Sequence, residues 1–500
     1  MSDGTALMRG TALRALVAFE LRLQSRDFLA WLGFLVLFLL TIGYTASGTI
    51  MLVGDLGAVP RTAPWAIAHA MAGVTAFGQV ITAMTAANTV LRDVAARTQG
   101  LILATPLSWR TYLVGRFLGT LAVLLVIYAA IPLGLSLGAW IATVTTNGAS
   151  DPLALSSFIR PLVILVVPNV LVVTMAFFAA GALSGGFTVI LLVGIGFIGC
   201  WQSGLQLVHA GHALGALLDP FGNAALTLAT ADWDTVARTT RAMPMTGLLL
   251  ANRALWLALA TLLGVGTLRW WRPRVAGGAP DVQRATTRRT VVALHALPAL
   301  RGATSAQALV AELRFGWHWV TRERGFAALL ILALLNAVAN AWSASGDPTA
   351  LVRALEFHSR LFAILIATIY AGELVWRDRD TRTDTLLRAL PVPALVRLTG
   401  RAGGVALGLL ALPILLVIVA TLLPLAAGTG APATLCAARW ILGVSAPAFM
   451  GLLVVSIVVH RLVDHKTVAH LALISAWVIA IALGAEELAR PWRVWGMCGS

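Results

Sequence analysis

Charge is scarce in this chain. Asp, Glu, Lys and Arg make up 11% of its 500 residues, where a soluble domain carries about 25%. Hydrophobic residues reach 59% and the mean hydropathy is +0.87, a balance that excludes an ordinary soluble fold. Lysine is almost missing: Lys466 is the only one, so the other basic residues are arginines. A formal charge of +15 invites a nucleic-acid partner. The arginines are instead spread through short segments between apolar runs, which is the positive-inside pattern of membrane proteins, and no nucleic acid is expected.

Cysteine and catalytic machinery are equally sparse. Cys200, Cys436 and Cys498 are too far apart for a disulfide framework or a zinc knuckle, and Cys200 and Cys436 read as small buried hydrophobes. No H-E-x-x-H pair occurs, and His209/His212 and His460/His465 have no nearby Glu, so no metal site is expected. No G-x-x-x-x-G-K-[ST] loop occurs either, so the chain does not hydrolyse ATP by itself. No nucleophile–base constellation appears, and the mid-span carboxylates of an ion-coupled carrier are almost absent. The chain is expected not to be an enzyme and to hold no cofactor. Residues 1–28 contain Arg9, Arg14, Arg22 and Arg26 and no small-residue cleavage site, so no cleavable signal peptide is expected.

What the chain has is long apolar runs. Backbone groups in lipid must pair among themselves, so the expected fold class is an all-α integral membrane protein. About 11 transmembrane helices fit: about 28–47, 66–91, 117–143, 161–183, 187–208 and 246–268, then about 325–343, 354–376, 402–427, 434–459 and 467–485. Residues 12–27 are too polar to span. Leu13, Leu16, Val17 and Leu21 recur there at helical spacing beside Arg14 and Arg22, which predicts an interfacial amphipathic helix. Residues 269–304, rich in Arg, Gly and Pro, read as a linker. The pattern then restarts. Ser305 opens a second interfacial helix bearing Leu309, Leu313, Trp317 and Val320, and Glu312-Leu313-Arg314 repeats Glu20-Leu21-Arg22. The expected domains are 1–268, the linker 269–304, and 305–500, the last reading as one span short.

A charged segment is also repeated. Residues 92–119 and 377–404 align without a gap and agree at eleven of twenty-eight positions, against roughly two by chance. The matches include Arg92/Arg377, Asp93/Asp378, Arg97/Arg382, Thr98/Thr383, Pro106/Pro391, Gly115/Gly400, Arg116/Arg401 and Gly119/Gly404. Arg92, Asp93 and Arg97 suit a local ion-paired surface, Pro106 and Pro391 turn the chain back toward the membrane, Gly115 and Gly400 permit close helix packing, and Arg116 and Arg401 snorkel to headgroups. Glu20 and Glu312 pair either with Arg22 and Arg314 or with an arginine of these segments. The loops about 48–65 and 144–160 hold only Arg61 and Arg160, so the N-terminus, both repeated segments and the linker are placed in the cytoplasm. Residues 209–245, with Asp219, Asp232 and Asp234, then face outward. The two halves become parallel six-helix-type repeats, unlike the inverted repeats of many transporters.

This arrangement resembles the ABC-type-2 exporter permeases. The phrases RTAPWAIAHA (61–70), ALLDPFGNAAL (216–226) and LLLANRALWL (248–257) look like the membrane region of bacterial permeases fused to an aminopeptidase-N-like domain, which is absent here. The resemblance implies a permease component of an ATP-driven exporter in the bacterial inner membrane. Its coupling segments, Arg92, Asp93, Arg97, Pro106, Gly115 and Arg116, and Arg377, Asp378, Arg382, Pro391, Gly400 and Arg401, would dock two separate ATP-binding subunits that carry the ATP and Mg. The alternative is a membrane anchor or scaffold for a partner such as a separately encoded peptidase. Among other polar groups, Glu373 is expected to pair with Arg377, Arg353, Glu356, His358 and Arg360 to form a self-paired interfacial cluster, and Asp219 to cap a turn.

Overall fold

The computed structural model describes residues 2–46, 53, 56–96, 98–146, 156–245, 247–272, 305–380, 383, 387, 392–429 and 433–464, with 466, 468–470, 472, 473, 476 and 477. Every regular element among them is helical. They fall into two compact units, residues 2–272 in the first and 305–473 in the second, with 476 and 477 grouped with the first. Among the described residues, eight helices are long and apolar enough to cross a membrane. The pair Ser305–Arg322 and Gly325–Ala341, bent by 62°, raises this to nine, and Ala30–Ala46 is apolar but shorter. The protein is thus all-helical and compatible with a membrane-spanning one. The last expected span, about 467–485, lies mostly outside the described residues.

Unit 1 opens with α1 (Ser2–Gln24), which begins well before the expected residue 12. Leu13, Leu16, Val17, Glu20 and Gln24 form its inward row, while Phe19 and Leu21 are exposed. Leu21 therefore leaves the expected apolar stripe and Glu20 takes its place. Next come α2 (Phe28–Ala46) and the 32-residue α3 (Pro64–Ala95), the short α4 (Gln99–Leu103), α5 (Trp109–Tyr128) and α6 (Ala130–Thr146). Ser108 caps α5, its Oγ accepting from Thr111 N at 3.2 Å. The break between α5 and α6 has a cause: Pro132 has no N–H for the Tyr128 carbonyl four residues back. Beyond α7 (Ser156–Pro161), a π turn over Leu162–Val166 leads into α8 (Val167–Ser184). Pro168, second in α8, withholds a donor from Ile164 and widens the helix there. The helices α9 (Phe187–His209), α10 (Gly215–Leu218), α11 (Asn223–Ala229), α12 (Thr235–Thr240) and α13 (Gly247–Trp270) complete the unit. Its core packs α3, α8 and α9 around Phe177, Ile190, Phe197 and Phe221.

Unit 2 runs α14 (Ser305–Arg322), α15 (Arg324–Ala341), α16 (Pro348–Asp380), α17 (Ala394–Leu409), α18 (Ala411–Ala427), α19 (Thr434–Ala437), a π turn over Ala438–Ser445, and α20 (Ala446–Leu462). Pro413 separates α17 from α18 by the mechanism that acts at Pro132, and Pro447 follows the π turn as Pro168 does. On α14, Leu309 and Trp317 are exposed, and the buried residues are Ala308, Gly316 and Val320. Cys200 is a free thiol. Cys436 is disulfide-bonded, which corrects the expectation of a simple buried hydrophobe.

Candidate functional site

In unit 1 the conspicuous residues of the first repeated segment meet α1. Glu20 of α1 is fully buried, Asp93 is 5% exposed and Arg116 3%. Arg116 Nη1 donates to Glu20 Oε1 and its Nη2 to Asp93 Oδ2. Arg92 Nη2 reaches Glu20 Oε1 at 2.7 Å, and the Tyr112 hydroxyl donates to Asp93 Oδ2 at 2.5 Å. Gln24 Nε2 closes the cluster onto Glu20 Oε2 at 3.0 Å and Thr89 Oγ1 at 2.9 Å. Two carboxylates face two guanidiniums, so the buried cluster is neutral, the condition under which buried charge is tolerated. The rings of Phe19 and Tyr112 lie 5.3 and 5.4 Å from the Arg116 guanidinium carbon, within cation–π range.

Glycine lets α1 come this close to α5. A Cβ at Gly119 would lie 2.5 Å from Glu20 Cβ, and one at Gly115 2.8 Å from Leu16 Cβ. Arg116 therefore does not snorkel to headgroups; burial between α1, α3 and α5 holds it in ion pairs. Of the two partners expected for Glu20, the arginines of the repeated segment are the ones it takes.

Unit 2 holds a corresponding cluster. Arg401 Nε donates to Glu312 Oε2 at 2.6 Å, and its Nη1 to Asp378 Oδ1 and Oδ2 at 2.9 and 2.8 Å. Here too the arginine stays beside its carboxylates, with 12% of its side chain exposed. A Cβ at Gly400 would lie 2.7 Å from Glu312 Cβ, and one at Gly404 2.3 Å from the Leu313 carbonyl oxygen. The backbone repeats as well. Thr98 N donates to Asp93 O and Thr383 N to Asp378 O, both at 3.0 Å; Ile102 N to Thr98 O and Leu387 N to Thr383 O are also both 3.0 Å. The clusters also differ: Arg377, matched to Arg92, stacks 4.8 Å over the Trp319 ring, Arg397, matched to Tyr112, donates to the Leu387 carbonyl, and the glycine against the glutamate is Gly400, the match of Gly115 and not of Gly119.

The exposed tip of the first segment is largely apolar, with polar Ser108 and Arg110 exposed beyond it. Leu101 on α4 is 73% exposed, and Ala104, Thr105 and Pro106 beside it are exposed as well. The expected ion-paired surface is thus turned inward at Arg92 and Asp93. Arg97, Arg382 and Pro391 lie outside the described residues.

At the other end of α3, the three phrases that carry the family resemblance converge. Trp65 Nε1 donates to Thr230 Oγ1 at 2.9 Å, and the Arg238 guanidinium lies 4.9 Å from the Trp65 ring. Asn252 Nδ2 donates to Asp219 O at 2.8 Å, while Arg253 spans from Asn169 Oδ1 to Pro220 O. Asp219 is fully buried, and its carboxylate accepts from Phe221 N at 2.8 Å and Ala224 N at 2.7 Å, the turn cap expected of it. Burial pushes its pKa up to about 6, against the pull of these N–H groups and Arg253. Gly222 has φ +77° and lies against the Arg253 guanidinium; a side chain there is excluded both by conformation and by space.

Other polar groups are internally paired. Arg360 meets Glu356 at 3.4 Å, in line with a self-paired cluster. Glu373, for which Arg377 is the expected partner, is engaged at 2.8 Å by Lys466. Among the described residues no group of three or more His, Cys, Asp or Glu is placed to hold a metal ion. No protein-family model, no curated protein and no solved structure matches the chain.

Proposed function

We propose that this chain is the membrane-spanning permease component of an ATP-driven exporter of the ABC type, in a bacterial inner membrane with its N-terminus cytoplasmic. Two coupling segments, 92–119 and 377–404, receive two separate ATP-binding subunits, which carry the ATP and Mg. The two halves are parallel repeats of one unit, and the chain performs no catalysis.

The observation that carries this reading is the repeated segment seated on the repeated glutamate. Glu20–Arg116–Asp93 and Glu312–Arg401–Asp378 use the same residue types, with the arginine twenty-three positions after the aspartate in each. A lipid-facing loop under positive-inside selection needs arginines. It needs no aspartate, glycine and threonine in fixed register. The order of helices, the proline breaks and the π turns, which recur in both units, support the duplication.

The buried ion pairs supply a mechanical path. The exposed tip at Leu101 and Pro106 would meet the subunit, while Asp93, Arg116 and Glu20 tie the flanking helices to α1. A push on the tip would move α1, α3 and α5 as one body. ATP would act by favouring one of two states of the permease through a difference in binding.

The test uses Arg97→Glu and Arg382→Glu in the complex with its ATP-binding subunit. Both variants are expected to insert normally and to lose substrate-stimulated ATPase activity. Normal assembly and activity in both would contradict the docking role.

A further inference from the structure

Unit 2 contains a polar cluster that the docking reading leaves unused. On α16, Gly372 lies beneath two imidazoles: a Cβ there would be 2.5 Å from His470 Nε2 and 3.0 Å from His460 Cε1. The two rings meet edge to face with centroids 4.5 Å apart, and both residues are buried. A larger residue at 372 would push the pair off the helix.

Hydrogen bonding assigns the tautomers. Trp376 Nε1 is a donor only and faces His460 Nδ1 at 3.3 Å, so that nitrogen carries the lone pair and Nε2 carries the proton. His460 Nε2 is buried without a well-formed hydrogen bond; the Thr368 carbonyl is the backbone group that interacts with the ring. His470 Nδ1 faces the Lys466 carbonyl at 2.8 Å and is therefore the protonated nitrogen of its ring. Lys466 reaches back to Glu373 at 2.8 Å, one residue beyond Gly372. Lys466 and His470 thus meet α16 at two adjacent residues, Glu373 and Gly372.

An added proton on His460 does not fit this arrangement. The lone pair of His460 is on Nδ1, and protonation there sets one N–H against the N–H of Trp376. The charged and titratable groups acting on His460 are His470, Lys466 and Glu373. Two of these are basic, and the one carboxylate is already engaged by Lys466. Behind Glu373 stand Glu323, hydrogen-bonded to Tyr370, and Arg377.

We propose that His460 and His470 form a proton-binding latch. In its neutral form the pair ties α20 and residues 466 and 470 to α16; taking up one proton on His460 opens the Trp376–His460 contact. Trp376 directly precedes Arg377 and Asp378, so the latch sits at the root of the second repeated segment. The proposal does not depend on the identity of any partner.

Hydrogen exchange of the full chain in lipid nanodiscs tests it, at about pH 7.5 and about pH 5, either side of the usual histidine range. Rates are corrected for the intrinsic effect of pH. Wild-type amides over 368–377 and 459–463 are expected to exchange several-fold faster at the lower pH, with 351–356 unchanged. His460→Gln keeps an acceptor for Trp376 but takes no proton, and is expected to lose the acid response. Trp376→Phe removes the opposing donor and is expected to exchange fast at both pH values, which decides the matter should His460→Gln fail to fold. Equal corrected rates in the wild type overturn the latch. So does an acid response that survives in His460→Gln or spreads equally to 351–356.

Discussion

At the scale of single residues, the strongest claim concerns Glu20. Removing one partner from a buried, hydrogen-bonded charge cluster leaves the others uncompensated, at a cost of about 3–5 kcal/mol. Glu20→Ala is therefore expected to lower the denaturation midpoint of the purified protein markedly. Glu312→Ala should cost less, because side-chain exposure there is 17% for Glu312 and 31% for Asp378, against 0% and 7% for Glu20 and Asp93. Replacing Glu20 and Arg116 together by leucine should recover most of the loss, since an apolar pair leaves no stranded charge. A double variant as unstable as Glu20→Ala would mean that packing, not charge, dominates the site.

Asp219 supplies a pH dependence at the same scale. Its carboxyl rises from 3.8 to about 6 in the folded cap because burial outweighs the favourable N–H contacts. The folded cap thus holds the proton more tightly than the unfolded chain does. The associated stabilisation is complete below pH 3.8 and is lost as pH rises through about 6. Hydrogen exchange over 216–230, corrected for intrinsic rates, should show weakening protection across that window. Asp219→Asn should abolish the dependence while keeping a side-chain oxygen as acceptor. A dependence that persists in Asp219→Asn would assign it elsewhere.

At the scale of elements, the contacts of α1 with α5 and of α14 with α17 are governed by glycine. A Cβ at Gly404 would fall against backbone, the Leu313 oxygen at 2.3 Å, whereas one at Gly115 would meet the Leu16 side chain. Backbone yields less readily than a side chain. Gly404→Ala should therefore separate α14 from α17 and destabilise unit 2 more than Gly115→Ala destabilises unit 1. Thermal unfolding of the two variants gives the order, and the reverse order would refute it.

Much at this scale was legible in the sequence. The apolar runs locate the long helices, whereas the breaks associated with Pro132 and Pro413 fall inside the expected spans 117–143 and 402–427 and are seen only in the fold. The pairing of Glu20 was legible only as one of two alternatives, because its partner Arg116 is 96 residues away and periodicity on one helix says nothing about which arginine it meets. The apolar stripe of α1 misled for a different reason: a helix beside lipid gains nothing by hiding leucine, so Phe19 and Leu21 stay outside while Glu20 turns in. Lys466 as the partner of Glu373 was invisible for the same reason as Arg116. The sequence around Asp219 forms a recognisable phrase, but only the fold brings it against Asn252 and Arg253.

At the scale of the whole molecule, the central claim is that the repeated segments are docking sites for ATP-binding subunits. Alpha-helical rise gives α3, with its 32 residues, a length of about 48 Å. Leu101 on α4 lies just past one end of it, and Trp65 at the other end bonds into the loop region that includes Leu214. Leu101 and Leu214 are both highly exposed, at 73% and 75%, so they make a matched pair of probes. The most direct measurement places a photo-crosslinking amino acid at each position in living cells and identifies the captured protein by mass spectrometry. An ATP-binding-cassette subunit captured at Leu101 and not at Leu214 is the predicted result. Capture of that subunit equally at both positions, or of a peptidase and no ATPase at Leu101, would contradict the account.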